Sequence, residues 1–359
     1  MRRQISEKNS NSQNVYIGLD VHLKQWNVCI IQGGISRKPF QQEPTATALM
    51  NHLRSHFPGM NYYSAYEAGV CGLSIHYALM SAGINSIVFN PADIAQRDKD
   101  RKRKTDPTDA RKIARALYNG ELDCIHIPSE ARAADRNLLR LRGFCIDDVK
   151  RAKIRLRHFL HVNGIAIPSE FSHGHWTKAF FCWLESRYRN VAGGVSTAAT
   201  LKNMTQSVQS CTERLEGVNS QLTTLMKRPA YAEDFRLLMS VPGIGPTAAF
   251  TLLLECGDLR DFSSADKFCA FIGLVPDINR SGDHDCQCGI TRRRHKTLRY
   301  MLTESAWHAI RIDDNLSALF ADYTRRMPRQ KAIVKIANKL AKIIKFVLKN
   351  KTAYKNAHG

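Results

Sequence analysis

The chain has 359 residues and a formal net charge of +21 at pH 7, because it contains 53 lysine and arginine residues but only 32 acidic ones. This length allows two or three domains, and an apolar content of 43% excludes a chain that is disordered throughout. The positive charge predicts a polyanionic partner, either nucleic acid or a membrane surface, since basic side chains on a phosphate backbone release counterions.

Signals for export and for membrane insertion are missing from the sequence. No run of about 18 apolar residues occurs, so we expect no segment that spans a bilayer. The residues after Met1 lack the apolar core of a secretory signal. The ten cysteines are scattered, and without an export signal we expect them to be reduced thiols in a cytoplasmic protein.

The first part of the chain has the pattern of an α/β domain. Strands are predicted over 15–20, 26–31, 62–67 and 86–89, with a hairpin turn at 33–34 leading into a further short strand. Helices are predicted over 45–56, 72–82 and 107–118. The order β-β-β-α-β-α-β-α predicts an α/β domain over 15–128, after a disordered N-terminus at 1–14.

The rest of the chain is predicted to be mainly helical. Two long stretches, 130–162 and 201–227, predict a helical, coiled-coil-like connector over 129–228 that is a candidate antiparallel pair. A second globular domain follows over 229–350, with a tail at 351–359. Its last helix, from Lys331 to Lys351, is basic and amphipathic, and we interpret it as the closing helix of that domain instead of a membrane-surface helix.

Four carboxylates in the first third of the chain are candidates for a metal site. Asp20 and Glu67 end the first and fourth predicted strands, where open α/β sheets usually carry their chemistry. Asp106 and Asp109 stand three residues apart at a helix start. Carboxylate oxygens suit Mg²⁺ or Mn²⁺, which can act on phosphodiesters. The alternative is that Asp106 and Asp109 only cap their helix and Asp20 only ends a strand.

Basic segments and a glycine turn are candidates for contact with nucleic acid. The run Arg101, Lys102, Arg103 and Lys104 precedes the acidic pair, and a second run contains Arg292, Arg293 and Arg294. The turn Val241-Pro-Gly-Ile-Gly-Pro246 resembles that of a helix-hairpin-helix, in which Gly243 and Gly245 let backbone N–H groups approach phosphate. The alternatives are a solvated charged face and a plain helix connection.

Ser281 is a candidate nucleophile in a predicted polar loop. It stands between Arg280 and a glycine, and the arginines of the second basic run follow. A serine that attacks a phosphodiester requires activation and charge neutralisation, which these groups can supply. Cys286 and Cys288 lie nearby, but their spacing is poor for zinc.

The order of these motifs resembles that of the DEDD-type insertion-sequence transposases, a family related to Piv-type DNA invertases. The resemblance covers about 15–125 and 235–310. It rests on the segments Tyr16–His22, Tyr66–Gly69, Lys104–Ala110, Val241–Pro246, Phe271–Pro276 and Ser281-Gly282.

The resemblance implies both a fold and a chemistry. The N-terminal domain would be RNase H/RuvC-like, with Asp20, Glu67, Asp106 and Asp109 as magnesium ligands. Ser281 would form a phosphoserine link to cleaved DNA. The family acts as homo-oligomers, here a dimer or tetramer, on double-stranded donor and target DNA in the bacterial cytosol and nucleoid. Many members are guided by an element-encoded bridge RNA.

Four functional hypotheses follow. The first is an RNA-guided DNA recombinase that inserts and excises its own element. The second is a site-specific invertase that works without RNA. The third is a RuvC-like junction nuclease that uses only the carboxylates, and the fourth is a nucleic-acid-binding protein without catalytic activity.

Overall fold

The computed structural model describes residues 13–91, 106–171, 176–187, 194–281, 284–291 and 294–355, without the side chains of 106–107, 277–281 and 284–288. The predicted disordered N-terminus lies almost entirely outside these residues, as does part of the predicted tail. The contacts divide the chain into two compact units, one ending at Ile127 and the other beginning at Pro128.

The N-terminal unit is built on a mixed β-sheet. Its strands are β1 Asn14–Val21, β2 Trp26–Gln32, β3 Ile35–Ser36, β4 Phe40–Gln42, β5 Asn61–Glu67 and β6 Asn85–Phe89. The order is β3-β2-β1-β5-β6, with β4 also paired to β2. β1 and β2 are antiparallel, whereas β1, β5 and β6 are parallel. The short connection at 22–25 makes β1 and β2 antiparallel, and the tight turn at Gly33-Gly34 does the same for β2 and β3. The parallel strands follow from the helices between them.

Helices cover the two faces of this sheet. They are α1 Ala46–His56, α2 Ser74–Ser81 and α3 Asp106–Tyr118. Alternate residues of β1 point to opposite faces. Ile17 and Leu19 pack with Leu49 and Leu53 of α1, whereas Tyr16 belongs to the cluster that includes α3.

The predicted element order of this unit is confirmed, except that the third predicted strand is replaced by two short strands, β3 and β4. The helix predicted over 72–82 is shorter, since it runs from Ser74 to Ser81. α3 is bounded at Asp106, one residue before the predicted start, a difference of the size usual between definitions of a helix end.

The C-terminal unit is mainly helical. Its helices are α4 Glu130–Val162, α5 Lys178–Arg187, α6 Gly194–Met226, α7 Pro229–Met239, α8 Pro246–Glu255, α9 Ala265–Ile272, α10 Lys296–Ile312, α11 Asp314–Arg326 and α12 Arg329–Asn350. A two-stranded sheet, β7 Pro276–Ser281 and β8 His284–Ile290, interrupts them. A mixed α/β N-terminal region followed by a helical C-terminal region is therefore confirmed.

The two longest helices, α4 and α6, form an antiparallel pair. The Nε of Arg142 donates to Asn219 Oδ1 at 2.7 Å, and further along α4 Asp148 faces Arg214. Residue numbers rise along α4 as they fall along α6, which is what an antiparallel pair requires. α6 begins at Gly194, earlier than the predicted start at Leu201.

One apolar core joins the N-terminal half of α4 and the C-terminal half of α6 to the helices that follow. Leu139 and Leu222 belong to the same cluster as Leu253 of α8 and Ile336 of α12. The boundary predicted at 228 and 229 thus falls inside a shared core. α12 buries its apolar face there, including Leu340. Among the described residues, no helix is long and apolar enough to cross a membrane.

Candidate active site

Asp20 and Glu67 lie side by side at one edge of the N-terminal sheet. β1 and β5 are parallel, and Leu19 pairs with Tyr66, so the next residue of each strand is an acid at the same level. Asp20 follows Gly18 by two residues and Glu67 follows Ala65 by two. Since alternate residues share a face, both acids lie on the face that α3 covers.

α3 runs antiparallel to β1 and brings its own acids toward the same edge. Ala110 of α3 lies against Gly18, whereas Tyr118, near the end of the helix, makes an edge-on ring contact with Tyr16 at 5.4 Å. The start of α3 is therefore directed toward the carboxyl end of β1. Asp106 and Asp109 stand in the first turn of this helix.

Two of the acids of this edge, Asp20 and Asp109, each have a basic side chain nearby. His22 Nε2 lies 3.3 Å from Asp20 Oδ2, and Lys112 Nζ lies 3.6 Å from Asp109 Oδ1. Among the described side chains, no three histidine, cysteine or acidic groups come close enough to hold a metal ion. The side chain of Asp106 is outside that set. The donor set consists of carboxylate oxygens on one edge, which fits a hard divalent cation.

The loop after Glu67 is held by the phenol of the preceding residue. Tyr66 Oη donates to the carbonyl of Gly72 at 3.0 Å and accepts from the backbone N–H of His76 at 3.1 Å. Burial raises the pKa of Tyr66 to about 12, so the phenol stays protonated and keeps both bonds. Cys71 Sγ contacts the carbonyl of Val21, which ties the loop to the end of β1.

Ser281 is the last residue of β7, where the sequence predicts a polar loop. It pairs with His284 across the turn of the β7–β8 hairpin, and Arg280 pairs with Asp285. The prediction of a loop is wrong because residues 276–281 pair with residues 284–290 as antiparallel strands. The hairpin places Ser281 at its turn end, away from its base.

The base of this hairpin is anchored by a half-buried arginine and a half-buried asparagine. Arg299 Nη1 donates to the carbonyls of Gly273 at 2.9 Å and Thr291 at 3.0 Å, which lie on either side of the hairpin. The backbone N–H of Thr291 donates to Val275, and Asn338 Nδ2 donates to the carbonyl of Leu274 at 2.8 Å. These bonds fix where the hairpin leaves the helical core.

A buried ionic cluster lies next to this base. Glu255, at the end of α8, is 8% exposed and is approached by Arg136 at 3.7 Å, Arg140 at 3.3 Å and His295 at 3.4 Å. Burial alone would raise the pKa of Glu255, but contacts with His295 and Arg140 and the charge of Arg136 lower it below its ordinary value. His295 also caps α10 through its Nδ1, which accepts from the N–H of Leu298.

The glycine turn between α7 and α8 has two glycines with different surroundings. A Cβ on Gly243, whose φ is +78°, would lie 2.2 Å from the carbonyl oxygen of Ser305 in α10. This packing and the positive φ explain why a glycine stands at 243, and the approach of its backbone N–H to phosphate stays a prediction. Gly245 is exposed at the start of α8, with open space around it.

Several of the predicted nucleic-acid contacts lie where the structure gives no side chain. Arg101, Lys102, Arg103, Lys104, Arg292 and Arg293 lie outside the described residues. Arg280 lies in β7 without a described side chain, as do the zinc candidates Cys286 and Cys288 in β8. Arg294 is exposed just before α10. Each of these roles stays a prediction.

Family models match both regions that carry these residues. A model of DEDD transposases of the IS110 type matches residues 17–163, and a model described as "Transposase IS116/IS110/IS902 family" matches residues 235–321. Together they cover well over half of the chain. The chain belongs to this transposase family. It is an enzyme that cuts and joins DNA.

Similar proteins carry the same designation. The transposase is 28% identical over 246 residues to the putative transposase y4qE of Sinorhizobium fredii, a match that covers 68% of this chain and 58% of y4qE. It is 25% identical to the transposase for insertion sequence element IS1533 of Leptospira borgpetersenii, with 82% and 85% covered. It is 24% identical to the transposase for insertion sequence element IS1111A of Coxiella burnetii, with 79% and 78% covered.

The structure also identifies residues of the transposase that sequence reasoning missed. Arg299 and Asn338 support the hairpin from distant positions, and Glu255 contacts His295 at the start of α10. No local pattern distinguishes these three from other helical residues. Gly18 had a usable signal, since a glycine inside an apolar strand often marks the close approach of another backbone.

Proposed function

We propose that this transposase cuts and rejoins DNA strands through a phosphoserine intermediate on Ser281, assisted by the carboxylates of the N-terminal sheet. The observation that carries this proposal is the pairing of Asp20 with Glu67 at one edge of the sheet, with α3 directed toward it. Ser281 at the turn of an anchored hairpin supports the second half of the proposal.

The proposed reaction has two steps, and each exchanges one phosphoester bond for another. The Ser281 oxygen forms a bond to the scissile phosphorus and loses its proton to solvent, while the bond from phosphorus to the departing sugar oxygen breaks. A hydroxyl of the second DNA strand then attacks the phosphoserine and releases the serine. Arg280 lies near the turn of the hairpin, and Arg294 lies just before α10. Both would neutralise charge on the phosphate.

Asp20, Glu67, Asp106 and Asp109 would hold Mg²⁺ or Mn²⁺ in this proposal. The family typically depends on divalent metal, which would supply charge neutralisation at the phosphate. The acids themselves would orient the metal, and the ammonium of Lys112 offsets the charge of Asp109.

A second candidate is metal-dependent strand cleavage that uses the carboxylates alone. The same sheet edge favours this reaction. Asp20 and Glu67 are aligned there with the start of α3 directed toward them, and such acidic sites can bind a metal that activates water. Ser281→Ala separates the two. The phosphoserine proposal expects no protein–DNA adduct and no strand joining by this variant, whereas full cleavage by it would leave only the metal-dependent reaction.

The decisive experiment is to trap the adduct and map its residue. The transposase is incubated with end-labelled donor DNA and Mg²⁺, denatured, digested with protease and analysed by mass spectrometry. We expect phosphate on Ser281. Asp20→Asn and Glu67→Gln should lower the yield by about a thousandfold, and an adduct on another residue would contradict the assignment.

We further propose that the transposase acts as a homo-oligomer, a dimer or tetramer, guided by an element-encoded RNA. Mixing inactive Ser281→Ala with inactive Asp20→Asn tests whether the acids and the serine come from different subunits, since restored activity requires it. Reconstitution with donor and target DNA, with and without the RNA, tests guidance. Efficient recombination without RNA would favour a site-specific invertase.

A further inference from the structure

The far end of the α4–α6 pair is unusually basic for a surface that the proposed chemistry does not use. Residues 149–169 contain five lysines and arginines, two histidines and no acidic residue. The cations are Lys150, Arg151, Lys153, Arg155 and Arg157. Of these, Arg151 pairs with Asp148 at 2.6 Å. The other four cations form no ion pair with a carboxylate among the described residues.

Lys153 and Arg157 share a single aromatic ring. Lys153 Nζ lies 5.2 Å and the Arg157 guanidinium carbon 5.5 Å from the ring centre of Trp176. Burial and the charge of Arg157 lower the pKa of Lys153, so each cation disfavours the other. Within the described residues, neither one forms an ion pair with a carboxylate.

Two acids, Glu170 and Glu185, lie in the neighbouring described elements, but neither forms an ion pair with Lys153, Arg157 or Arg187. Arg187 lies over Trp183 at 5.5 Å, which adds a third cation on an aromatic ring of the same cluster. The segments 172–175 and 188–193 contain no acidic residue in sequence. On the other side of α4, Arg155 lines a groove with Thr200 and Asn203 of α6. Positive charge thus continues across the end of the pair.

We propose that this surface, formed by Lys150, Lys153, Arg157 and Arg187, binds the phosphate backbone of a double-stranded nucleic acid. The cations from Lys150 to Arg157 span roughly 10 Å of helix. Over that length, one strand of a duplex presents about three phosphates. The aromatic rings hold the cations in place, which lowers the entropy lost when they meet phosphate. This role goes beyond the proposed chemistry and does not depend on Ser281.

The test is a salt titration of binding with full-length protein, without divalent metal so that no strand is cut. Duplex DNA and duplex RNA of the same sequence are compared for the wild type and for Lys153→Gln/Arg157→Gln. The matched control is Arg329→Gln/Lys335→Gln, which removes two cations from the rings of Phe320 and Tyr323, at 5.8 and 5.1 Å. It changes the same charge and the same kind of contact in another part of the unit.

The expected result is a loss of about tenfold in affinity at low salt, and a salt slope shallower by about 2, for Lys153→Gln/Arg157→Gln. The duplex that shows this loss, DNA or RNA, is the partner. Equal slopes for this variant and the control, or no change with either duplex, would overturn the proposal.

The conservative variant Lys153→Arg/Arg157→Lys separates charge from packing. It keeps both cations, so the dependence of its affinity on salt concentration should equal that of the wild type. A shallower salt dependence for this variant would also overturn the proposal. Thermal unfolding of every variant confirms that it is folded before its binding is compared. Because the readout is binding without divalent metal, its result does not depend on whether Ser281 forms a phosphoserine link.

Discussion

Gly18 of β1 lies so close to α3 that a Cβ at this position would be 2.1 Å from the carbonyl oxygen of Ala110. A second backbone atom, the nitrogen of Ala114, would be 2.3 Å away. This contact sets how near α3 comes to the sheet. It therefore also sets how near Asp109 comes to the edge formed by Asp20 and Glu67.

We expect Gly18→Ala to destabilise the N-terminal unit by about 3 kcal/mol, because backbone atoms cannot move aside as a side chain can. Urea unfolding and hydrogen exchange of the α3 peptides measure the effect. Gly69→Ala is the control, since its Cβ would meet only one atom, at 3.9 Å. Equal stability of the two variants would contradict the packing described for α3.

The two glycines of the α7–α8 turn should respond differently to alanine. Gly243→Ala should cost about 3 kcal/mol, because it places a methyl group against α10 at a positive φ. Gly245→Ala has open space and a φ of −90°, so its stability should be unchanged. If Gly245 contacts phosphate, this second variant lowers DNA affinity while it unfolds at the same urea concentration as the wild type.

Arg299→Ala should loosen the hairpin that carries Ser281. The change removes two hydrogen bonds to the carbonyls of Gly273 and Thr291, at a cost of about 2 kcal/mol. Hydrogen exchange of the β7 and β8 peptides should accelerate, and the yield of protein–DNA adduct should fall. Arg299→Lys keeps the charge but lacks the planar guanidinium, so it should give only partial rescue.

A control for this prediction is Arg326→Ala, which removes an arginine that is paired with Asp322 on the surface of α11. Its hairpin peptides should exchange as in the wild type. Unchanged exchange of the hairpin in Arg299→Ala would show that the hairpin is held by other contacts.

Glu255→Gln should reveal a pH-dependent contribution to stability. The pKa of Glu255 is lowered in the folded protein, so its ionised form stabilises the fold above its ordinary pKa of 4.5, and this is lost as the pH falls through the lowered value. At neutral pH the variant should be less stable by about 2 kcal/mol. The difference from the wild type should shrink as the pH drops below 4.5.

Urea unfolding at several pH values measures this difference. Glu233→Gln is the matched control, because Glu233 also has a lowered pKa but pairs with Lys351 on the surface. Glu233→Gln should change the free energy of unfolding little at any pH, since solvent screens an exposed ion pair. A constant difference for Glu255→Gln across the pH range would show that its charge does not matter.

The amino-acid sequence by itself determined the elements of this protein and the position of its acids along the chain. Strand and helix patterns have periods of two and about 3.6 residues, so they can be recognised locally, as for β1 and for α4. The order of short motifs around Asp20, Glu67 and Ser281 was sufficient to indicate an insertion-sequence transposase.

Only the tertiary structure decided which residues hold these elements in place. The register of β1 against β5 aligns Asp20 with Glu67, and Gly18 brings α3 against the same face. Arg299 reaches both sides of the hairpin from a helix outside it. Such contacts join residues far apart in the chain, and their partners depend on packing and not on local periodicity. The packing of Gly243 against α10 is one such contact, and nothing in the local sequence of the turn indicates it.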